Sequence, residues 1–283
     1  GFIGSHLIEK LVLERVKIRV IDDLSNGSLE NIAPWLKNPN FTFVKGNLLN
    51  PADVTQALKG CQIVYHFAAN PEVRVGSIRP DLLYQQNIVA TYNLLEAIRN
   101  VGKIEKLVFA SSSTVYGEAS KLPTPENYAP MEPISVYGAS KLACEAMLMA
   151  YARSYGFNVI IYRPANIVGT RNKQGAVHDF IQKLMKNPGE LEILGDGTQT
   201  KSYLHISDCI KALLLGVEKS DRQVEVFNVG SEDQIDVKTV AEIVTEEMGL
   251  ENVHFKVTGG VEGGRGWKGD VKNMLLDISK LNS

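Results

Sequence analysis

The sequence predicts an α/β protein built on a doubly wound parallel sheet, with a smaller C-terminal lobe. Short, β-branched apolar runs alternate with helical stretches through the first 165 residues. Those runs are near-continuously apolar instead of alternating, as strands covered on both faces are. Beyond about residue 165 the rhythm loosens into polar loops, Gly169–Gly175 among them, and a Gly-rich stretch at Gly259–Gly269. The 283 residues suit about two domains. We place the first at 1–165, its leading strand missing, and a substrate-binding lobe at 166–283, interleaved with it by elements near 205–230 that return to the sheet.

The elements follow in order. Gly1-Phe2-Ile3-Gly4 opens a stretch with apolar residues at 3, 7, 8, 11 and 12, the spacing of one helix face. Val16–Ile21 reads as a strand ending in Asp22-Asp23, and Phe41–Lys45 and Ile63–Phe67 repeat the pattern. Ile88–Ile98 is a helix, Leu107–Ala110 a strand, Tyr137–Tyr155 a long helix and Asn158–Tyr162 a strand. In the second half, a helix at Ser207–Val217, a strand at Val224–Val229 and a helix at Val237–Met248 resume the alternation.

Composition narrows the function. Hydrophobic residues make up 44% and charged residues 22%, the balance of a folded globular protein. Thirty Lys+Arg against 32 Asp+Glu leave a net charge of -2, so no bulk basic field exists to hold nucleic acid or an anionic membrane. No apolar run approaches the ~18–20 residues of a membrane span, and no signal peptide opens the sequence, so a cytoplasmic location is expected. Cys61, Cys144 and Cys209 are far apart, with no CxxC pair, which agrees with that compartment. The five histidines show neither HExxH spacing nor a cysteine partner, so no metal is expected.

The glycine pair Gly1 and Gly4 at a helix start suggests a place where backbone amides and the helix dipole hold pyrophosphate. A glycine-opened helix without a ligand reads equally well. Asp22 strengthens the first reading, because it ends the second strand about 20 residues on, where a carboxylate accepts hydrogen bonds from ribose hydroxyls. Two adjacent acids repel a 2′-phosphate and favour NAD over NADP, although Asp23 also suits a turn cap. Asn47, after the third strand, is placed either to meet adenine or to make a turn. The sharpest feature is Tyr137-Gly138-Ala139-Ser140-Lys141, preceded by Ser111-Ser112-Ser113 at a strand end. Tyrosine and lysine four apart share a helix face. A phenol with a pKa of about 10 becomes a base near neutrality only beside a cation, and Lys141 is that cation.

On these residues the sequence resembles the extended short-chain dehydrogenase/reductases, and among them the nucleotide-sugar epimerases of the UDP-glucose 4-epimerase type. The resemblance covers essentially the whole chain. It rests on GFIGSH, Asp22-Asp23-Leu24, His66-Phe67-Ala68-Ala69, Ser111–Gly117, Tyr137–Lys141, Tyr162–Gly169, and Gly195-Asp196-Gly197 followed by Tyr203-Leu204-His205. It implies a Rossmann-type sheet, NAD as cofactor, a UDP-sugar substrate and a homodimer formed through the helices at 88–98 and 137–155. It assigns Ser112, Tyr137 and Lys141 to catalysis. Cofactor contacts would come from Gly1, Phe2, Ile3, Gly4, Asp22, Asp23, Asn47, Leu48, Phe67, Ala68, Ala69, Asn87 and Pro164, besides Tyr137 and Lys141. Ser112, Asn166, Lys201 and Arg265 would meet the substrate, Lys201 standing where such epimerases often place an arginine on the nucleotide phosphates. The strand and first glycine that should precede Gly1 are not in this sequence, so an incomplete chain with weak NAD binding is expected.

The implied reaction is epimerisation at C4 of a UDP-hexose through a transient 4-keto sugar. The same oxidation begins 4,6-dehydration and UDP-glucuronate decarboxylation. Sequences resembling the dehydratases carry an Asp-Glu pair at the positions of Ser113-Thr114, and the decarboxylases a glutamate at the second. Neither Ser113 nor Thr114 supplies an acid or base near neutral pH, which favours the epimerase. A non-enzymatic NAD-binding regulator is the rival from another class, and proteins of that kind usually lack the Tyr/Lys pair.

Overall fold

In the computed structural model, which describes residues 1–283, the chain runs through α1 (Phe2–Leu13), β1 (Ile18–Asp22), β2 (Phe41–Lys45), α2 (Pro51–Leu58) and β3 (Ile63–His66). It continues through α3 (Pro80–Leu83), a π turn at Tyr84–Val89, α4 (Ala90–Val101), β4 (Lys106–Ala110), α5 (Val136–Tyr155) and β5 (Asn158–Pro164). Then follow β6 (Asn166–Val168), α6 (Ala176–Lys186), β7 (Glu190–Ile193), β8 (Thr200–Lys201), β9 (Tyr203–His205), α7 (Ile206–Lys219) and β10 (Val224–Val229). The last elements are β11 (Ile235–Asp236), α8 (Val237–Glu247), β12 (His254–Val257), β13 (Asn273–Met274) and α9 (Ser279–Asn282).

The parallel strands of the first half lie in two hydrogen-bonded pieces, and short parallel pairs β6–β9, β7–β12 and β8–β13 lie in the second. β1 pairs with β2, and a four-stranded sheet runs in the order β10-β5-β4-β3. β10, from the second half of the chain, pairs with β5 from Val224 opposite Val159 to Val229 opposite Pro164. The continuous apolar strands follow from cover on both faces. Leu107, Phe109, Val159 and Ile161 pack with Leu94 and Leu95 of α4 and Leu148 of α5. Their neighbours Val108, Ile160 and Tyr162 point the other way, onto Leu7 of α1 and Ile210 and Leu213 of α7.

The helix expected at Ile88–Ile98 is longer in the structure. Pro80 stands in the first turn of α3, where its fixed φ suits a helix start and no N–H is needed. The π turn joins that start to α4, which ends at Gly102 in the left-handed conformation. In the second half, Phe180 and Leu184 of α6, Leu191 and Ile193 of β7, and Val240 and Val244 of α8 form a separate core. The Gly259–Gly269 stretch is tied down by Lys272 Nζ on the Gly263 carbonyl at 2.9 Å and Arg265 Nε on Glu118 Oε1 at 3.1 Å. No helix is long and apolar enough to cross a membrane.

Candidate active site

At the start of α1 no side chain caps the helix. The first-turn amides of Phe2, Ile3 and Gly4 therefore lack the partner a capping residue would give. Asp22, at the end of β1, accepts from the Leu24 amide at 2.8 Å and lies 3.4 Å from the Gly1 nitrogen. The loop beyond closes tightly on this carboxylate: a Cβ on Gly27 would stand 2.6 Å from Asp22 Oδ2. Asp23 instead accepts from the amide and hydroxyl of Ser25, at 2.9 and 2.6 Å, and caps its own turn. Asn47 also works in a turn, accepting from the Leu49 amide at 2.8 Å, while the Leu48 carbonyl accepts from Asn93 Nδ2 at 2.9 Å. A Cβ on Gly4 would meet the Phe67 ring at 3.8 Å, Ala68 and Ala69 follow Phe67, and Pro164 closes β5. An uncapped helix start beside a strand-end acid fits a dinucleotide, the amides meeting pyrophosphate and Asp22 the ribose.

Ser112 sits where β4 gives way to a 3-10 turn at Ser113–Tyr116, and it caps that turn by accepting from Thr114 N at 3.2 Å. The Thr114 hydroxyl donates to the same oxygen at 2.9 Å. Tyr137 stands in the first turn of α5, whose cap Ser135 accepts from Gly138 N at 3.0 Å. Burial pushes the Tyr137 phenol up to about 12, and the Ser112 hydroxyl opposes that shift. Lys141 is 4% exposed. Its ammonium donates to the Ala110 carbonyl at 2.8 Å and lies 5.9 Å from the centre of the Tyr137 ring. Burial lowers it to about 8, opposed by Cys144 and Glu145. Asn87, in the π turn, donates to Ser140 Oγ at 2.9 Å, and Ser140 donates to the Tyr137 carbonyl at 2.7 Å. Asn87 therefore braces the turn that carries the phenol.

On the far side, Asn166 Nδ2 donates to the Ser202 carbonyl at 3.1 Å, which joins β6 to the strands around Lys201. Lys201 is paired with the buried Asp270 at 2.6 Å, and Arg265 with Glu118. Both cations thus have intramolecular carboxylate partners. Two charged residues that sequence reasoning passed over, Glu145 and Arg163, meet in a buried pair behind Ser112. They lie 18 positions apart on a helix and a strand, and no helical or strand period links them.

Residues 1–230 match the family described as NAD dependent epimerase/dehydratase. The chain belongs to that family. Its cofactor is NAD, and its fold is the Rossmann-like α/β fold of its structural neighbours. The chain is 34% identical to an uncharacterised UDP-glucose epimerase of Bacillus subtilis, over 99% of this chain and 87% of the relative. It is similar to the crystal structure of a UDP-galactose 4-epimerase at 40% identity and a TM-score of 0.84, covering 99% of this chain and 88% of that one. The UDP-glucose 4-epimerase of Thermotoga maritima, solved with UDP-glucose, matches at 31% identity and a TM-score of 0.87, with coverage of 99% and 88%. Members with other chemistry match as well. UDP-glucuronic acid decarboxylase 1 of Arabidopsis thaliana is 30% identical over 87% of this chain and 56% of its own length.

Proposed function

We propose that the chain interconverts UDP-glucose and UDP-galactose by NAD-dependent epimerisation at C4. The observation that carries this reading is the setting of Ser112. It stands beside Tyr137, and its next neighbours Ser113 and Thr114 bring a hydroxyl onto Ser112 in place of a carboxylate. Elimination of water across C5–C6 of the 4-keto sugar, with the proton leaving C5 and the hydroxyl leaving C6, needs a general acid and base beside the sugar, and these two residues supply neither near neutral pH.

Bound NAD supplies a reversible hydride acceptor for the sugar carbon. The chain's residues handle the proton. Tyr137 takes it from the C4 hydroxyl and returns it, Ser112 holds the oxygen by a hydrogen bond, and Lys141 contributes the positive charge that favours phenolate. With the phenol at about 12 and Lys141 at about 8, the resting pair at neutral pH is a protonated tyrosine and a charged lysine.

Asn166, Lys201 and Arg265 hold the UDP part in this reading. Lys201 and Arg265 reach the phosphates by exchanging their carboxylate partners. A homodimer through α4 and α5 accords with the exposure of Tyr92 and Tyr155. Three dispersed thiols agree with a cytoplasmic setting.

Proton NMR of the protein with UDP-galactose and NAD, without an external oxidant, tests the reaction. UDP-glucose should appear while no NADH accumulates, and Tyr137→Phe should lower the rate by about a hundredfold or more. A 4-keto-6-deoxy product would assign the dehydratase reaction instead. Unchanged UDP-galactose with NAD bound would remove this substrate from the reading.

A further inference from the structure

A buried polar chain stands directly behind Ser112. Glu145, one helical turn beyond Lys141 on α5, is 1% exposed, and Arg163 on β5 is 2% exposed. The guanidinium meets the carboxylate through three bonds, Nε to Oε1 at 3.0 Å and to Oε2 at 3.3 Å, and Nη2 to Oε2 at 2.6 Å. Glu145 Oε1 also accepts from the Ser111 hydroxyl at 2.5 Å. Arg163 Nη1 donates to the Tyr116 hydroxyl at 2.8 Å and to the Glu126 carbonyl at 2.9 Å. Tyr116 in turn donates to Asn228 Oδ1 of β10 at 2.7 Å.

This chain brackets Ser112 on both sides. Ser111, the residue before it, is tied to the carboxylate and also donates its amide to the Tyr162 carbonyl at 2.8 Å. Tyr116, which ends the 3-10 turn that Ser112 caps, is tied to the guanidinium. A buried ion pair adds little net stability over apolar side chains that fill the same space. Its presence is better accounted for by what it fixes: one arm ends at Ser111, next to Ser112, and the other at Tyr116, the last residue of the turn that Ser112 caps.

We propose that Glu145 and Arg163 form a positioning pair that holds Ser112 in register with Tyr137, with the Ser111 and Tyr116 hydroxyls as its two arms. The pair does not touch substrate. The proposal rests on the part given to Ser112 under Proposed function, and it extends the site to four residues not assigned there.

Ser111→Ala and Tyr116→Phe each delete one arm while leaving the ion pair intact. Two readouts decide. The first uses no sugar: hydrogen exchange should speed up at amides 111–117 in both variants and stay at the wild-type rate in α4 and in the α6–α8 core. The second is turnover of UDP-galactose. Each variant should lose about tenfold in kcat with KM within about twofold, because a small displacement of a reacting group acts on the chemical step. The double variant should fall short of the product of the two losses, as two arms holding one residue do.

Wild-type exchange at 111–117 in both variants overturns the proposal. So does unchanged kcat despite faster exchange. A loss of kcat that merely follows the loss of folded protein or of NAD binding also overturns it, since the pair would then be structural only. If the wild-type protein does not turn over UDP-galactose, the substrate reading fails, and the exchange measurement still decides whether the pair positions Ser112.

Discussion

Lys141 illustrates how one residue serves the site at the expense of the fold. Burial brings its ammonium to about 8, below the ~10.4 of a free lysine. Between those values the unfolded chain binds more protons than the folded one, so this group makes stability rise with pH across that window. At neutral pH the folded protein carries the full burden of a buried charge. Lys141→Met should therefore melt higher than the wild type below pH 8, and the rise in melting temperature between about pH 8 and 10 should flatten, as thermal scans across that range will show. Tyr137 acts in the opposite sense. Its folded value of about 12 lies above the ~10 of a free phenol, so its contribution to stability falls as pH climbs from about 10 towards 12. The sequence displays Tyr137 and Lys141 together because four residues along a helix is local geometry. It does not display that Lys201 and Asp270 meet, because that contact is made by folding alone.

The elements place these residues through close packing. At the start of α5, Gly138 passes so near the 3-10 turn that an added Cβ would stand 2.6 Å from the Thr114 carbonyl oxygen. Only a glycine lets the helix carry Tyr137 this close to the segment that carries Ser112. Gly138→Ala should push the two apart, lowering kcat by about a hundredfold with a smaller effect on NAD affinity, measurable by steady-state kinetics beside NAD titration. The main strands were legible because burial on both faces of a parallel sheet writes continuous apolar runs such as Leu107–Ala110. α2 was not, since its eight residues hold few apolar positions and its best signals are Asn50 at the cap and Pro51 behind it. α6 carries apolar residues at 177, 180, 181 and 184, a clear helical face that the loops around it obscure. The two-residue strands β8, β11 and β13 are too short for any period to register, and they exist through pairing with one another.

Across the whole molecule, ion pairs fasten the Gly259–Gly269 stretch over the junction of the two halves. Arg265 reaches Glu118, just beyond the Ser112 turn, and Trp267 lies beneath the Arg74 guanidinium, 5.8 Å from its ring centre, in the segment after β3. Glu118 also accepts from the Lys272 amide at 2.8 Å, so one carboxylate holds Arg265 within the stretch and the chain just beyond its end. Partly exposed pairs of this kind are worth about 1 kcal/mol or less. Glu118→Gln should leave the melting temperature nearly unchanged, yet raise KM for the UDP-sugar several-fold and speed tryptic cleavage after Arg265 and Lys268. Equal cleavage rates in wild type and variant would show that the stretch is held by other contacts.

The pairing of β10 with β5 also bears on how the chain is made. β5 ends at Pro164 and its partner begins at Val224, about 60 residues later, with the strands and helices of the second half lying between. At ribosomal speeds of about 5–20 residues per second, that edge of the sheet stays unpaired for some 3–12 s after it emerges. During that interval it is the kind of exposed strand on which other chains can template. Arg163 waits equally long for Asn228, the last member of the polar chain it organises. The polar chain behind Ser112 and the sheet edge are thus completed by the same late strand, and in the nascent protein both stay open until that strand arrives.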